Sequence, residues 1–166
     1  MTAFETYFWP LVAIGLAAGI AAGSIGFRRD RRGRQRALTV GAAAALAMTL
    51  AWDWPLGAAN RFAATVETEA RFVLDDWEMP QVAARLQRAP LTRRLELSGP
   101  ADSFQRGGLA KLMGLIPGVG RATWSKDRAL PLIIEGAGAA LLGFLLGLLL
   151  AYLLELRRRH NAQWNW

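Results

Sequence analysis

Two carboxylates stand in apolar surroundings, and each would do different chemistry. Glu135 follows Leu132-Ile133-Ile134 and precedes a run of glycine and alanine. An acid inside a membrane span is costly, and acids kept there bind ions, relay protons or pair with a cation. In a span that begins near Leu130, Glu135 lies about two helical turns in. Three readings follow for it: a site for a partner or an ion, a group that reaches outward, or one that pairs with an arginine such as Arg128. Asp53 lies between Trp52 and Trp54. Indoles favour the membrane interface, so Asp53 reads first as a water-facing carboxylate and second as part of a transport path. Proton or ion transport needs more intramembrane polar groups than these two.

Other chemistry finds little footing. The chain has no cysteine, which excludes a thiolate nucleophile, a disulfide and a thiolate-bound metal. Its one histidine, His160, follows three arginines in a tail. No histidine and acid cluster has metal-ligand spacing, no serine sits in a nucleophile elbow, and residues 114–120 lack the phosphate-loop lysine. The expectation is a protein that is not an enzyme, with no catalytic residue, cofactor or metal.

The elements that carry the two acids are three apolar runs. They cover about residues 7–27, 38–54 and 130–154 of the 166. About 20 helical residues cross a hydrocarbon core of about 30 Å. The first and third runs are long enough, and the second is the shortest and is rich in alanine. No basic region precedes the first run, so it reads as a retained helix rather than a cleaved signal peptide.

The formal net charge of +7 is concentrated at the ends of these runs. Arg28, Arg29, Arg31, Arg32, Arg34 and Arg36 share one short loop, and Arg157, Arg158 and Arg159 follow the third run. Basic residues so placed set topology. They predict a cytoplasmic 28–36 loop and C-terminus, with the N-terminus and residues 58–128 on the other side. With no recognition motif, nucleic acid is not an expected partner. The tail 160–166 ends in two tryptophans that suit headgroups or a neighbouring subunit.

Small residues recur at a spacing of four: Gly15, Gly19 and Gly23 in the first run, and Ala139, Gly143, Gly147 and Ala151 in the third. Each set forms a groove on one helix face, where backbones approach closely. The occupant is the other span, a second copy or a different protein.

Between the second and third runs the pattern changes. Asn60 can cap a helix with Phe62, Val66, Ala70, Val73 and Trp77 on one face. Pro80 suits the first turn of a short helix bearing Val82, Ala83 and Leu86. Leu95 and Leu97 alternate with Arg94 and Glu96 as in a strand. A turn at 98–100 follows. Ser103 can cap a helix from 104 to about 116, in which Leu109, Leu112, Met113 and Ile116 form an apolar stripe. Pro117-Gly118 ends it, and 119–124 can return as a second strand. This predicts a small α+β unit ordered helix, strand, helix, strand.

These residues resemble the BON domain. The likeness rests on Leu95, Leu97, Ser98, Gly99, Arg106, Leu109, Leu112, Ile116, Pro117, Gly118 and Val119, and covers roughly residues 82–124. The resemblance implies a non-enzymatic bacterial envelope module associated with phospholipid surfaces or with assembly of envelope complexes.

The whole reads as an α-helical integral membrane protein with three transmembrane helices and a small α+β extracytoplasmic module between helices two and three. Residues 1–57 would hold helices one and two with the basic loop, 58–128 the periplasmic BON-like module, and 129–166 helix three and the tail. The expected role is an accessory or assembly subunit of a larger bacterial inner-membrane complex. Its partners would be membrane lipid, other integral membrane subunits or copies of itself, and a periplasmic protein. The alternatives are a homo-oligomeric pore or transport component using Glu135 and Asp53, or a lipid-binding envelope protein.

Overall fold

A computed structural model of the chain describes residues 2–88, 90–124 and 129–163. The elements run α1 (Ala3–Gly26), α2 (Arg31–Asp53), α3 (Ala58–Asp76), β1 (Ala83–Arg88), β2 (Leu91–Ser98), α4 (Ser103–Met113), β3 (Arg121–Thr123) and α5 (Leu132–Gln163). The described residues are mostly helical, at 69%, and among them are two to three candidate membrane-spanning helices and a small three-stranded sheet. α1 and α5 are each long and apolar enough to cross a membrane, and α2 qualifies only when counted with α3 as one span.

The chain divides into two compact units. One joins the N-terminal residues through Tyr7 to Leu56–Glu135, and the other joins Phe8–Pro55 to Gly136–Trp166.

In the first unit α3 supplies the widest buried face. Phe62, Ala63, Val66, Ala70 and Leu74 are buried along it. The face ends at Leu74, whereas Trp77, expected on it, is 56% exposed. The helix starts earlier than the Asn60 reading placed it. Gly57, at φ 65°, is its N-cap, a left-handed conformation open to glycine, and Asn60 falls within the helix.

The sheet has the order β1-β2-β3. β1 pairs antiparallel with β2, placing Leu86 opposite Leu95 and Ala84 opposite Leu97. β3 runs parallel to β2, and α4 makes the crossover between them. The short helix expected after Pro80 is therefore a strand. Val82 and Leu86 are spaced for a helix, but Ala84 and Leu86 also alternate, and pairing with β2 decides between the two. The Glu67 carboxylate fastens β1 to α3. It accepts from the Leu86 N–H at 3.0 Å and from Arg88 at 2.8 Å.

α4 is capped by Asp102 rather than Ser103. The Asp102 carboxylate accepts from the Gln105 N–H, and the Gln105 side chain accepts from the Asp102 N–H, which satisfies two otherwise orphaned donors. The helix stops at Met113, short of the expected Ile116, because the chain turns there toward Gly118. Gly118 has φ 107°, and a Cβ added to it would lie 2.9 Å from Val66 Cγ2 and 3.2 Å from the Phe62 ring. Both strain and overpacking then oppose any side chain. Gly118→Ala is expected to destabilise this unit by about 2 kcal/mol or more. By contrast, Gly107 in α4 has nothing within 4 Å of its added Cβ, and Gly107→Ala should stabilise by about 1 kcal/mol. Amide hydrogen exchange across α3 and α4 in detergent reads both changes.

In the second unit Ala22 of α1, Ala45 of α2 and Phe144 of α5 form one buried cluster, with Ala18, Leu38, Ala42 and Leu148 packed around it. Two boundaries differ from the sequence reading. The arginine loop is shorter, because Asp30 caps α2 by accepting from the Gly33 N–H at 3.1 Å. Arginine is a good helix former, so Arg31, Arg32, Arg34 and Arg36 lie on the first turns of α2. At the other end α5 continues as helix through Arg157, Arg158, Arg159 and His160. Trp164 and Trp166 lie outside the described residues.

Candidate functional site

β2 places adjacent arginines on opposite faces of the sheet, as strand alternation requires. Arg93 is held on three sides. Its Nη1 donates to Glu135 at 3.0 Å and its Nε donates to the Gly118 carbonyl at 3.0 Å. Its guanidinium also stands 5.1 Å from the centre of the Phe4 ring. Both members of the Arg93–Glu135 pair are about a quarter exposed. Glu135 thus has a basic partner, supplied by β2. Arg128, the partner expected from sequence, lies outside the described residues. The pair sits where α5 begins, beside a single antiparallel bridge between Thr92 and Pro131.

Arg94 is 3% exposed. Its three guanidinium nitrogens are enclosed and have no hydrogen-bond partner among the described residues. Its neighbour in register on β3 is another arginine, Arg121. A cavity of about 120 Å³ is lined by Arg93, Arg94, Arg121 and Glu135 together with Gly120, Ala129 and Leu130. A guanidinium does not deprotonate in proteins, so Arg94 carries a buried charge. The consecutive arginines in an otherwise alternating strand were the sequence signal for this cluster. Without the sheet partners, nothing in the sequence indicated that the Arg94 side was covered.

The arginines flanking the apolar runs fall into three groups in the second unit. Arg28, Arg158 and Arg159 converge on Glu155 at 3.6, 3.2 and 3.1 Å, and Arg159 also donates to the Phe27 carbonyl. Arg29, Arg32 and Arg36 instead line a crevice of about 710 Å³ between α1 and α2. Arg31, Arg34 and Arg157 are exposed and line neither feature.

The small-residue faces of α1 and α5 meet each other. Added Cβ atoms at Gly15 and Gly19 would strike the backbone of Ala140 and Phe144. At Gly143 and Gly147 they would strike the backbone of residues 12–16 and 16–20. Gly23 faces the Ala151 side chain. The contact passes through Ala140, which is fully buried, and Ala139 is only partly so. Both alanines satisfy a helical period counted back from Gly143, which is why spacing alone chose the wrong one.

Of the residues read as the module's core, Leu95, Leu97, Leu109, Ile116 and Val119 are buried. Leu112 is half-buried, and Pro117 and Gly99 are exposed. Gly99 has φ 129°, with the Gln81 carbonyl where a Cβ would stand. Arg106 lies 5.3 Å from the Trp124 ring centre. Asp53 is the last residue of α2, half-buried, in the second unit, whereas Glu135 belongs to the first. Among the described residues no three histidine or acid side chains gather to hold a metal ion.

Together these features define a helical protein with apolar helices suited to a membrane, carrying a small mixed sheet. No protein-family model matches the chain, and no match was found among curated proteins or solved structures.

Proposed function

We propose that this chain is a non-enzymatic accessory or assembly subunit of a larger complex in a bacterial inner membrane. One observation carries the reading: the core of the sheet-containing unit is completed by the ends of both apolar helices. Tyr7 of α1 is 2% exposed and packs against Phe62 of α3, the tilted rings 5.5 Å apart between centres. Glu135 of α5 pairs with Arg93 of β2. The module therefore takes the first residues of α1 and the first residues of α5 into its own fold, as suits a module that presents a surface to a partner. Phe72 and Trp77, which are 70% and 56% exposed on and just after α3, are its aromatic contacts for a partner protein.

The module is BON-like in this reading, since Leu95, Leu97, Leu109, Ile116 and Val119 of the resemblance share one core. Three spans cross the bilayer. The cluster of Ala22, Ala45 and Phe144 supports α2 as the third, because it draws one residue from each of α1, α2 and α5. The arginines at residues 28–36 and 157–159 then lie on the cytoplasmic side, and the module lies in the periplasm. The pairing of Glu135 with Arg93 argues against the pore alternative, since an acid satisfied by a neighbouring arginine is not free to line a path.

The test is to tag the chain, extract it in mild detergent and weigh the intact particle by mass spectrometry. Other polypeptides in a fixed ratio are the expected result. A particle holding only copies of this chain would overturn the subunit reading.

A further inference from the structure

The crevice between α1 and α2 has two chemically distinct ends. Its walls are small and apolar, formed by Ala18, Ala21, Ala22 and Ile25 from α1 and by Val40 and Ala44 from α2. Its mouth carries Arg29, Arg32 and Arg36, with Asp30 as the one acid. The Asp30 carboxylate is already engaged by the Gly33 N–H as the α2 cap. The three arginines make no ion pair or side-chain hydrogen bond among the described residues, unlike Arg28, Arg158 and Arg159, which share Glu155. The positive end of the α2 dipole opens at the same mouth. Reaching from Arg36 to Ala44 takes eight helical residues, so the apolar slot runs roughly 12 Å beyond the arginines.

We infer that this crevice is a binding site for one anionic phospholipid. The headgroup phosphate sits among Arg29, Arg32 and Arg36, and an acyl chain lies along the alanine walls. The argument is one of complementarity. A soluble phosphate leaves the apolar slot unfilled. An apolar helix leaves three guanidinium groups without an anion at the mouth. A lipid satisfies both ends, and basic pockets between membrane helices take anionic headgroups in this way. The volume of about 710 Å³ falls in the range of about 300–1,000 Å³ usual for small-molecule sites. The inference needs only that α1 and α2 lie in a bilayer. It does not depend on the subunit reading, because it concerns a single copy of the chain.

The test uses the full chain purified in a non-ionic detergent. Native mass spectrometry follows retention of added phosphatidylglycerol or phosphatidylcholine. The expected result is one phosphatidylglycerol per chain, held at detergent concentrations that strip phosphatidylcholine. Replacing Arg29, Arg32 and Arg36 together by glutamine should weaken that retention on the order of a hundredfold. Replacing Arg31, Arg34 and Arg157 by glutamine removes the same charge away from the crevice, and should leave retention unchanged. Ala21→Trp places an indole against the exposed wall of the slot and should also expel the lipid, with the arginines intact. Equal loss from the two arginine sets would overturn the inference, because diffuse attraction then suffices. So would equal retention of the two lipids, or retention undisturbed by Ala21→Trp. A circular-dichroism melt of each variant separates loss of the site from loss of the fold.

Discussion

Gly147→Ala is expected to force α1 and α5 apart and to lower the stability of the folded chain by about 1–3 kcal/mol. The added Cβ would stand 2.8 Å from the Ile20 nitrogen and 3.0 Å from the Gly19 Cα, with the Leu16 carbonyl closer still. All three are backbone atoms, so no rotamer change relieves the clash. Lipid tails are as apolar as leucine, and helix association in a membrane therefore rests on close packing. Losing that approach removes dispersion contacts along the whole seam. Gly138→Ala on the same helix is the control. Nothing lies within 4 Å of its added Cβ, and the alanine should stabilise the helix slightly. Denaturant titration in mixed micelles, followed by circular dichroism, compares the two. Gly19→Ala adds a second test of the mechanism. Once one substitution has opened the seam, the other meets less resistance, so the double variant should lose less than the sum of the singles. Full additivity, or a neutral Gly147→Ala, would show that the two helices do not depend on this contact.

Much of this seam was legible in the sequence, because a four-residue repeat of glycine has a direct geometric meaning on a helix. What the spacing lacked was phase. Ala139 and Ala140 sit four and three residues before Gly143, and only the partner's position selects Ala140. The sheet was legible where alternation was strong, as at Leu95 and Leu97. It was misread at residues 83–88, where Ala84 is too small to mark a strand and the spacing of Val82 and Leu86 mimics a helix. The caps failed for a related reason. Asn60 and Ser103 are both good N-cap residues, yet Gly57 and Asp102 hold those positions: Asp102 has Gln105 at the spacing that closes a reciprocal capping box, and Gly57 takes the left-handed turn that starts α3 one residue before Ala58. Glu135 stood out from sequence as an acid in apolar company. Its partner did not, since Arg93 is 42 residues away in the chain and reaches it only through the fold.

Arg94→Met is expected to stabilise the sheet-containing unit, against the common effect of core substitutions. Taking an ion out of water costs several kcal/mol, and attraction to a partner must repay that cost. Arg94 has no such partner among the described residues, and Arg121 beside it carries the same sign. Methionine keeps much of the length of the aliphatic stem and bends to fill an irregular space. Removing the charge should therefore gain about 1–4 kcal/mol. Arg94→Gln separates charge from polarity. It loses the cation but leaves a buried amide to be hydrogen-bonded, and so should fall between the wild type and the methionine variant. Thermal unfolding in detergent with amide exchange at β2 measures the order. A loss of stability in Arg94→Met would mean that an anion matches the Arg94 charge in the folded protein. The 120 Å³ cavity shared with Arg93, Arg121 and Glu135 would then be where it sits. The same comparison at low and high phosphate decides the matter, because an occupied cavity gives the wild type a stability that rises with the anion, and the methionine variant has none to gain.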